Sequence, residues 1–331
     1  MIKLRTEVEL PDFKNKMGYR HQSMMIGSCF AENIGTYLQE LSFPITVNPF
    51  GILYNPISIA NSLELLVMGK AFTEKDLFYH NNLYHSFLHH GQFSDPDPLI
   101  MLERINSEVS EAYVVIKKCH HLFITFGTAW VFRNREDGAV VSNCHKLPAA
   151  TFDHFRLSIP QITDKWIPLI DKVLEINPNL HLVFTVSPIR HLKDGAHDNQ
   201  LSKSTLLLAI DALISRYSDE RISYFPSYEL VLDELRDYRF YAADMTHPSE
   251  IAVDFIREKF LSAILDNEGK IISAELGKII PALKHKALNN NSEDYVSFVK
   301  NQIEKTKELQ KKYPFVDFGY VLNKFREKIA E

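Results

Sequence analysis

Met24-Met25-Ile26-Gly27-Ser28-Cys29-Phe30-Ala31-Glu32-Asn33-Ile34-Gly35 decides how the chain is read. Three apolar residues stop at a glycine, and the hydrophobic pattern then changes period. Met24–Ile26 reads as the end of a strand buried on both faces. From Ala31 the apolar residues Ala31, Ile34, Leu38 and Leu41 recur at spacings of three and four, with Pro44 just past the last of them. That pattern predicts a helix over 31–41. A strand, a tight turn and a helix in quick succession open an α/β domain.

The same signals return downstream. His121–Phe126 runs into Gly127, and Leu180–Val186 runs into Ser187-Pro188. Both are continuous apolar runs of the kind found in parallel strands covered on both sides. Ile222–Phe225 is a further strand. Helical spacing covers 161–175, 201–216 and 249–265, the last opened by Pro248-Ser249-Glu250. The alternation predicts an α/β fold, a three-layer α/β/α sandwich on a parallel sheet. Residues 63–108 break the rhythm with His80, His85, His89, His90 and the breaker run Ser94-Asp95-Pro96-Asp97-Pro98, and read as an insertion over one end of the sheet.

The chain of 331 residues carries 37 Lys and Arg against 42 Asp and Glu, a net charge of −5. It has no global basic field for nucleic acid. Residues 269–331 differ from the rest, with 12 basic residues against 8 acidic. They read as a helical extension of two or three solvated helices, with an Asn289-Asn290-Asn291-Ser292 linker, appended to a body over 1–268. Three cysteines, Cys29, Cys119 and Cys144, exclude a disulfide framework and fit a reducing compartment. No run approaches about 18 apolar residues, so no membrane partner is expected. Met1–Leu10 is charged and lacks the apolar core of an export signal. These features together predict a cytoplasmic protein.

Two segments carry candidate chemistry. A thiol or hydroxyl between a strand and a helix N-terminus sits where backbone N–H groups point outward, which favours negative charge and activates a thiol. That makes Cys29 a candidate nucleophile, with Ser28 as the alternative. Ala243-Asp244-Met245-Thr246-His247-Pro248 places a carboxylate three residues before a histidine, in a loop after the last predicted strand. Asp244 can orient His247, and His247 can act as general base. Ligands of open α/β sheets bind at the carboxyl ends of the strands, where both segments fall.

The two blocks, in that order, resemble the SGNH/GDSL hydrolase superfamily. More closely, Gly27-Ser28-Cys29-Phe30-Ala31 spells the motif of the GSCFA family. Asn48–Pro56, Phe126–Val131 and Asn143-Cys144-His145-Lys146 resemble that family's segments too, so the likeness spans roughly 20–265. It implies a flavodoxin-like sheet and carboxylic ester chemistry, and the function expected on that basis is acyl ester hydrolysis or acyl transfer on a small molecule or carbohydrate. Laid without gaps on Gly-Asp-Ser-Leu, Cys29 takes the nucleophile slot; a shift of one residue puts Ser28 there. The likeness further implies an oxyanion hole from the N–H of Gly51 and of residue 29, with the Gly127 block beside it. The Gly-x-Asn-Asp block reads Gly127-Thr128-Ala129-Trp130, so the oxyanion Asn is absent, with Asn48 and Asn143 as candidates to replace it. Losing one such donor costs about 100- to 1000-fold. A module that binds but does not turn over is therefore the competing reading.

The remaining candidates concern substrate. His145 and Lys146 could bind a carboxylate or a phosphate, in a segment that reads as preceding a helix, and His89 could line the cleft. His85 and His89 stand four apart, but no Cys-x-x-Cys or His-Glu-x-x-His accompanies them, so no metal is expected. Without a phosphate-cradling Gly-rich loop no cofactor is expected either. The sequence leaves the oligomeric state open.

Overall fold

Strand and helix alternate along most of the chain. The strands are β1 (Ser23–Gly27), β2 (Ile45–Val47), β3 (Phe78–His80), β4 (Leu83–His85), β5 (His121–Phe126), β6 (Trp130–Asn134), β7 (Val140–Val141), β8 (Phe152–Arg156), β9 (His181–Val186) and β10 (Ile222–Tyr224). The α-helices are α1 (Cys29–Glu40), α2 (Pro56–Val67), α3 (Pro98–Ile116), α4 (Ile159–Ile176), α5 (Ala196–Ile214), α6 (Ser227–Glu229), α7 (Glu250–Ile264), α8 (Asn267–Leu276), α9 (Ile280–Lys284), α10 (Glu293–Lys312) and α11 (Gly319–Ala330). The computed structural model describes residues 6–218, 221–285 and 292–330. Asn289–Asn291 of the expected linker lie outside the described residues.

The central sheet has the order β2-β1-β5-β9-β10, and every pairing in it is parallel. Counted along the chain, that is 2-1-3-4-5, the flavodoxin-like doubly wound order. The α/β/α sandwich expected from the alternation is the fold observed. β1, β5 and β9 are buried at every residue because helices cover both faces. Successive side chains go to opposite faces, which splits the core in two. Met24, Ile26, Ile124 and Phe184 pack with Leu63 of α2, Ile105 of α3, Trp166 of α4 and Leu206 of α5. Met25, Phe123 and Val183 pack with Leu38 of α1 and Phe260 of α7.

Several elements depart from the expectations. α1 begins at Cys29 rather than 31, because Ser28 caps it and so recruits a first turn that the apolar spacing does not mark. Of the expected insertion 63–108, the part that opens α3 belongs to the sandwich, with Met101 and Ile105 wholly buried. Only the β3–β4 hairpin and its flanks stand apart from the strand–helix alternation. Residues 130–156 form a second sheet, β7-β6-β8, antiparallel throughout. Asn143–Lys146, between β7 and β8, leads into a single 3-10 turn at Ala149–Thr151 and then β8, not into an α-helix.

The tail is not a set of solvated helices. Val299 and Ile303 of α10, and Val321 and Phe325 of α11, join Phe13, Leu38 and Phe43 in the second core cluster. Ion pairs Lys312–Glu275 and Arg20–Glu268 lie at its rim. Removing the wholly buried Phe325 ring leaves a cavity that the packed neighbours cannot close. Phe325→Ala is expected to lower unfolding free energy by about 3–5 kcal/mol in a urea titration. A loss below about 0.5 kcal/mol, the scale of an ordinary surface substitution, would mean that the tail is not packed as described.

Candidate active site

Gly27 turns β1 into α1 at φ +142°, and a Cβ there would lie 2.3 Å from the Thr125 carbonyl oxygen. Only glycine fits. The turn is braced by Asn48, whose Oδ1 accepts from Gly27 N–H at 2.8 Å and whose Nδ2 donates to Glu32 Oε2 at 2.8 Å. Ser28 is buried, and its Oγ accepts from Phe30 N–H at 3.3 Å as the helix cap. Cys29 follows as the first residue of α1, partly exposed. Its backbone N–H is one of the helix-terminal donors that has no intrahelical acceptor. Its Sγ stands 3.5 Å from the Tyr54 hydroxyl.

Tyr54 is held in place by its own carbonyl, which accepts from Gly127 N–H at 2.7 Å and Thr128 N–H at 3.0 Å. Burial, and then the contact with Cys29, push its phenol well above the usual tyrosine range. The hydroxyl therefore stays protonated and able to donate.

On the facing loop, Asp244 Oδ1 accepts from the N–H groups of Thr246 and His247, each at 2.9 Å. Its Oδ2 lies 2.6 Å from His247 Nδ1. The two backbone donors, led by that of His247, and the ring hold the Asp244 carboxyl well below the usual carboxylate range. The charged carboxylate fixes the ring with Nδ1 towards it and leaves Nε2 for chemistry. His247 and Cys29 are not hydrogen-bonded to each other; they meet as walls of the same two cavities.

The smaller cavity, of 90 Å³, is apolar, with Phe30, Ile34, Pro188, Ile189, Val253 and Ile256 beside Cys29 and His247. The larger, of 690 Å³, runs from Ser28, Cys29, Tyr54 and His247 to Trp130, Asn143, Arg190 and His191. The second sheet forms one of its walls through Trp130, Phe132, Phe152 and His154. Two further hollows, of 340 and 460 Å³, lie against the tail and contain neither Cys29 nor His247.

Residues 22–260, which hold both blocks of the site, match the family model described as the GSCFA family. The chain belongs to the GSCFA family. Residues 276–331 match a second model, described as the GSCFA domain protein, C-terminal domain. No curated protein matches the chain. Among solved structures, it is similar to the crystal structure of a Corynascus thermopiles (Myceliophthora fergusii) carbohydrate esterase family 2 enzyme plus carbohydrate binding domain. The likeness has 16% identity and a TM-score of 0.27 and covers 48% of this chain and 38% of that chain. The GSCFA chain thus spans well under half the length of that protein.

The structure redistributes the roles that the resemblance implied. Gly51 does not offer an oxyanion donor, since its N–H is already given to Asn48 O at 2.7 Å. Gly127 N–H is likewise spent on Tyr54 O. Asn48 is committed to Gly27 and Glu32. Ala129 is wholly buried, and its N–H goes to Ser202 Oγ at 2.7 Å. Asn143 does line the large cavity; its Oδ1 accepts from His145 N–H. His145 does not face substrate: its ring is buried against Phe78 and His85, with Nε2 2.8 Å from Ser86 O. Lys146 is exposed and outside the cavity lining. His89 is wholly buried, stacked on Phe50 with Phe72 and Phe93 at its edges, and burial pushes it down to about 3. It is a core residue. Among the described residues no group of three or more His, Cys, Asp or Glu is arranged to hold a metal ion. No described helix is long and apolar enough to cross a membrane.

Tyr54, Arg190 and His191 were not singled out from sequence. The usable signal was position, because Arg190-His191 follows β9 at the carboxyl end of the sheet. Lys203, on α5, gave no signal. It is wholly buried and donates to Gly127 O and Ser187 O, both at 2.6 Å, tying the ends of β5 and β9 together beneath the site. Burial pushes its amine down from 10.5 to about 7. A neutral amine keeps two N–H donors for the two carbonyls. Because the folded value lies below the unfolded one, the unfolded chain binds the extra proton between about pH 7 and 10.5, and Lys203 adds stability as pH rises through that window. The free-energy difference between the protein and Lys203→Met is expected to widen in favour of the protein from pH 7 to 10. A difference independent of pH in denaturant titrations would contradict the buried amine.

Proposed function

We propose that this GSCFA chain is an SGNH-like acyl ester hydrolase or acyltransferase working through a covalent acyl-enzyme on Cys29. The observation that carries the proposal is the meeting of Cys29 and His247 on the walls of both cavities, at the carboxyl end of the sheet, with Asp244 holding the His247 ring from behind. His247 Nε2 takes the proton of the Cys29 thiol, and Asp244 stabilises the imidazolium that results. The thiolate attacks the acyl carbonyl carbon. The oxygen that becomes negative is held by Cys29 N–H and the Tyr54 hydroxyl, the donors that remain once Gly51 and Gly127 are spent. The tetrahedral species collapses, the leaving alkoxide takes the proton from His247, and a thioester remains on Cys29. Water, or an acceptor hydroxyl, gives its proton to His247, attacks the thioester and releases the Cys29 thiolate, which takes the proton back. Substrates are esters of a small molecule or a carbohydrate, and a reducing cytoplasm keeps the thiol usable.

The size of the apolar cavity sets the acyl group. At 90 Å³ it holds a few heavy atoms, given that about 10–15 Å³ of such volume takes one water. p-Nitrophenyl acetate and propionate are expected to turn over or acylate fastest, with the rate falling at least about tenfold by octanoate, a loss of about 1.4 kcal/mol in the transition state. If no ester reacts faster with the protein than with Cys29→Ala, the catalytic reading fails and the chain is a binding module.

A further inference from the structure

Four side chains on the large cavity have polar atoms that are shielded from water and have no hydrogen-bond partner: Trp130 Nε1, Ser142 Oγ, Arg190 Nε and His191 Nε2. A buried polar group without a partner costs about 1–3 kcal/mol, so four among the residues lining one cavity require an explanation. The indole and guanidine groups are donors only, and the serine can donate. The set calls for a ligand rich in acceptors. Arg190 also has no hydrogen bond or ion pair among the described residues. The one carboxylate on the cavity, Asp194, faces His154 at 3.7 Å. Burial pushes His191 down to about 4, so it is neutral at pH 7, and the cations on the cavity are Arg190 and Lys193, of which Lys193 lies over the Phe132 ring at 5.5 Å. The His191 ring stands edge-on to Tyr54 at 5.7 Å, and Tyr54 touches Cys29, so His191, next to Arg190 in the chain, lies within one small molecule's length of the thiol.

We infer that the large cavity seats a compact oxyanion, a carboxylate or a phosphate, on Arg190, with Trp130 and Ser142 as further donors. Seating the anion in this way requires these side chains to turn their shielded atoms towards the cavity. Since the apolar cavity takes the acyl group, the anion belongs to the alcohol portion of the substrate, in the orientation that the Cys29 acyl-enzyme reading gives. The inference rests on that reading only for this orientation.

The test is protection of Cys29 from iodoacetamide, followed by peptide mass mapping, with succinate or inorganic phosphate added at ionic strength matched by potassium chloride. An anion at ten times its dissociation constant is expected to slow alkylation about tenfold and to raise the thermal midpoint. Protection by succinate, by phosphate or by both supports the site and identifies the oxyanion it prefers. Arg190→Gln is expected to raise the anion concentration that gives half-maximal protection about 10- to 100-fold, each variant being compared with its own alkylation rate without anion, and Lys146→Gln, exposed and outside the cavity lining, to retain protection. Absence of protection and midpoint shift with both anions, or protection undiminished in Arg190→Gln, overturns the inference. Alkylation needs no acyl chemistry, so failure of the acyl-enzyme reading and failure of this site give different results.

Discussion

His247→Gln is expected to slow acylation of Cys29 by about 10⁴-fold, the upper end of what a positioned general base supplies. Glutamine keeps much of the volume and a hydrogen-bonding end but cannot take the thiol proton. The loss should fall on kcat with KM little changed, because the proton transfer belongs to the chemical step. His247 is half exposed and outside both core clusters, so the unfolding midpoint should not move. Pre-steady-state acylation by p-nitrophenyl acetate is the measurement. A variant that acylates within about threefold of the protein, less than 1 kcal/mol of barrier, would remove His247 from the mechanism.

Tyr54→Phe should cost about 100- to 1000-fold in acylation, the usual loss on removing one oxyanion donor. The expectation follows by elimination. Ala129 brings no side-chain donor, and the N–H groups of Gly51, Gly127 and Ala129 are each bonded to protein. The hydroxyl beside Cys29 Sγ is the group left in place. Phenylalanine keeps the ring against His191 and loses only the donor. A second reaction separates two roles for that donor. Alkylation by iodoacetamide forms no oxyanion, so its rate should stay within about twofold, since no transition-state charge on oxygen is left unheld. If alkylation falls as far as acylation, Tyr54 acts on the thiol rather than on the oxyanion.

The parts of the molecule legible in sequence were those whose cause is local. β5 and β9 declare themselves because burial on both faces demands an unbroken apolar run. Asp244 and His247 are three residues apart, and one loop brings them together. What escaped depends on partners distant in the chain. β6 and β8 mix Phe132 and Phe155 with Arg133 and Asp153, and few of their residues are fully buried, so no apolar run marks them. Tyr54 reaches Cys29 only because Gly127 and Thr128 clasp its carbonyl from another strand's end. Resemblance carried Gly51 into the oxyanion hole by residue type, but whether an N–H is free is a property of the folded backbone. His89 and His145 lie near the cleft in sequence reasoning and inside aromatic packing in the fold, since a histidine ring buries as readily as a small aromatic when one nitrogen finds an acceptor.

The claim on which the account stands is that Cys29, and not Ser28, takes the acyl group. Ser28 Oγ is occupied in capping α1, whereas Cys29 opens onto both cavities. Brief reaction with p-nitrophenyl acetate, acid quench and peptide mass mapping tests it directly. An acetyl group on Cys29, absent from Cys29→Ala, is the expected result. An acetyl group on Ser28, or none on either residue across the acyl series, would contradict it.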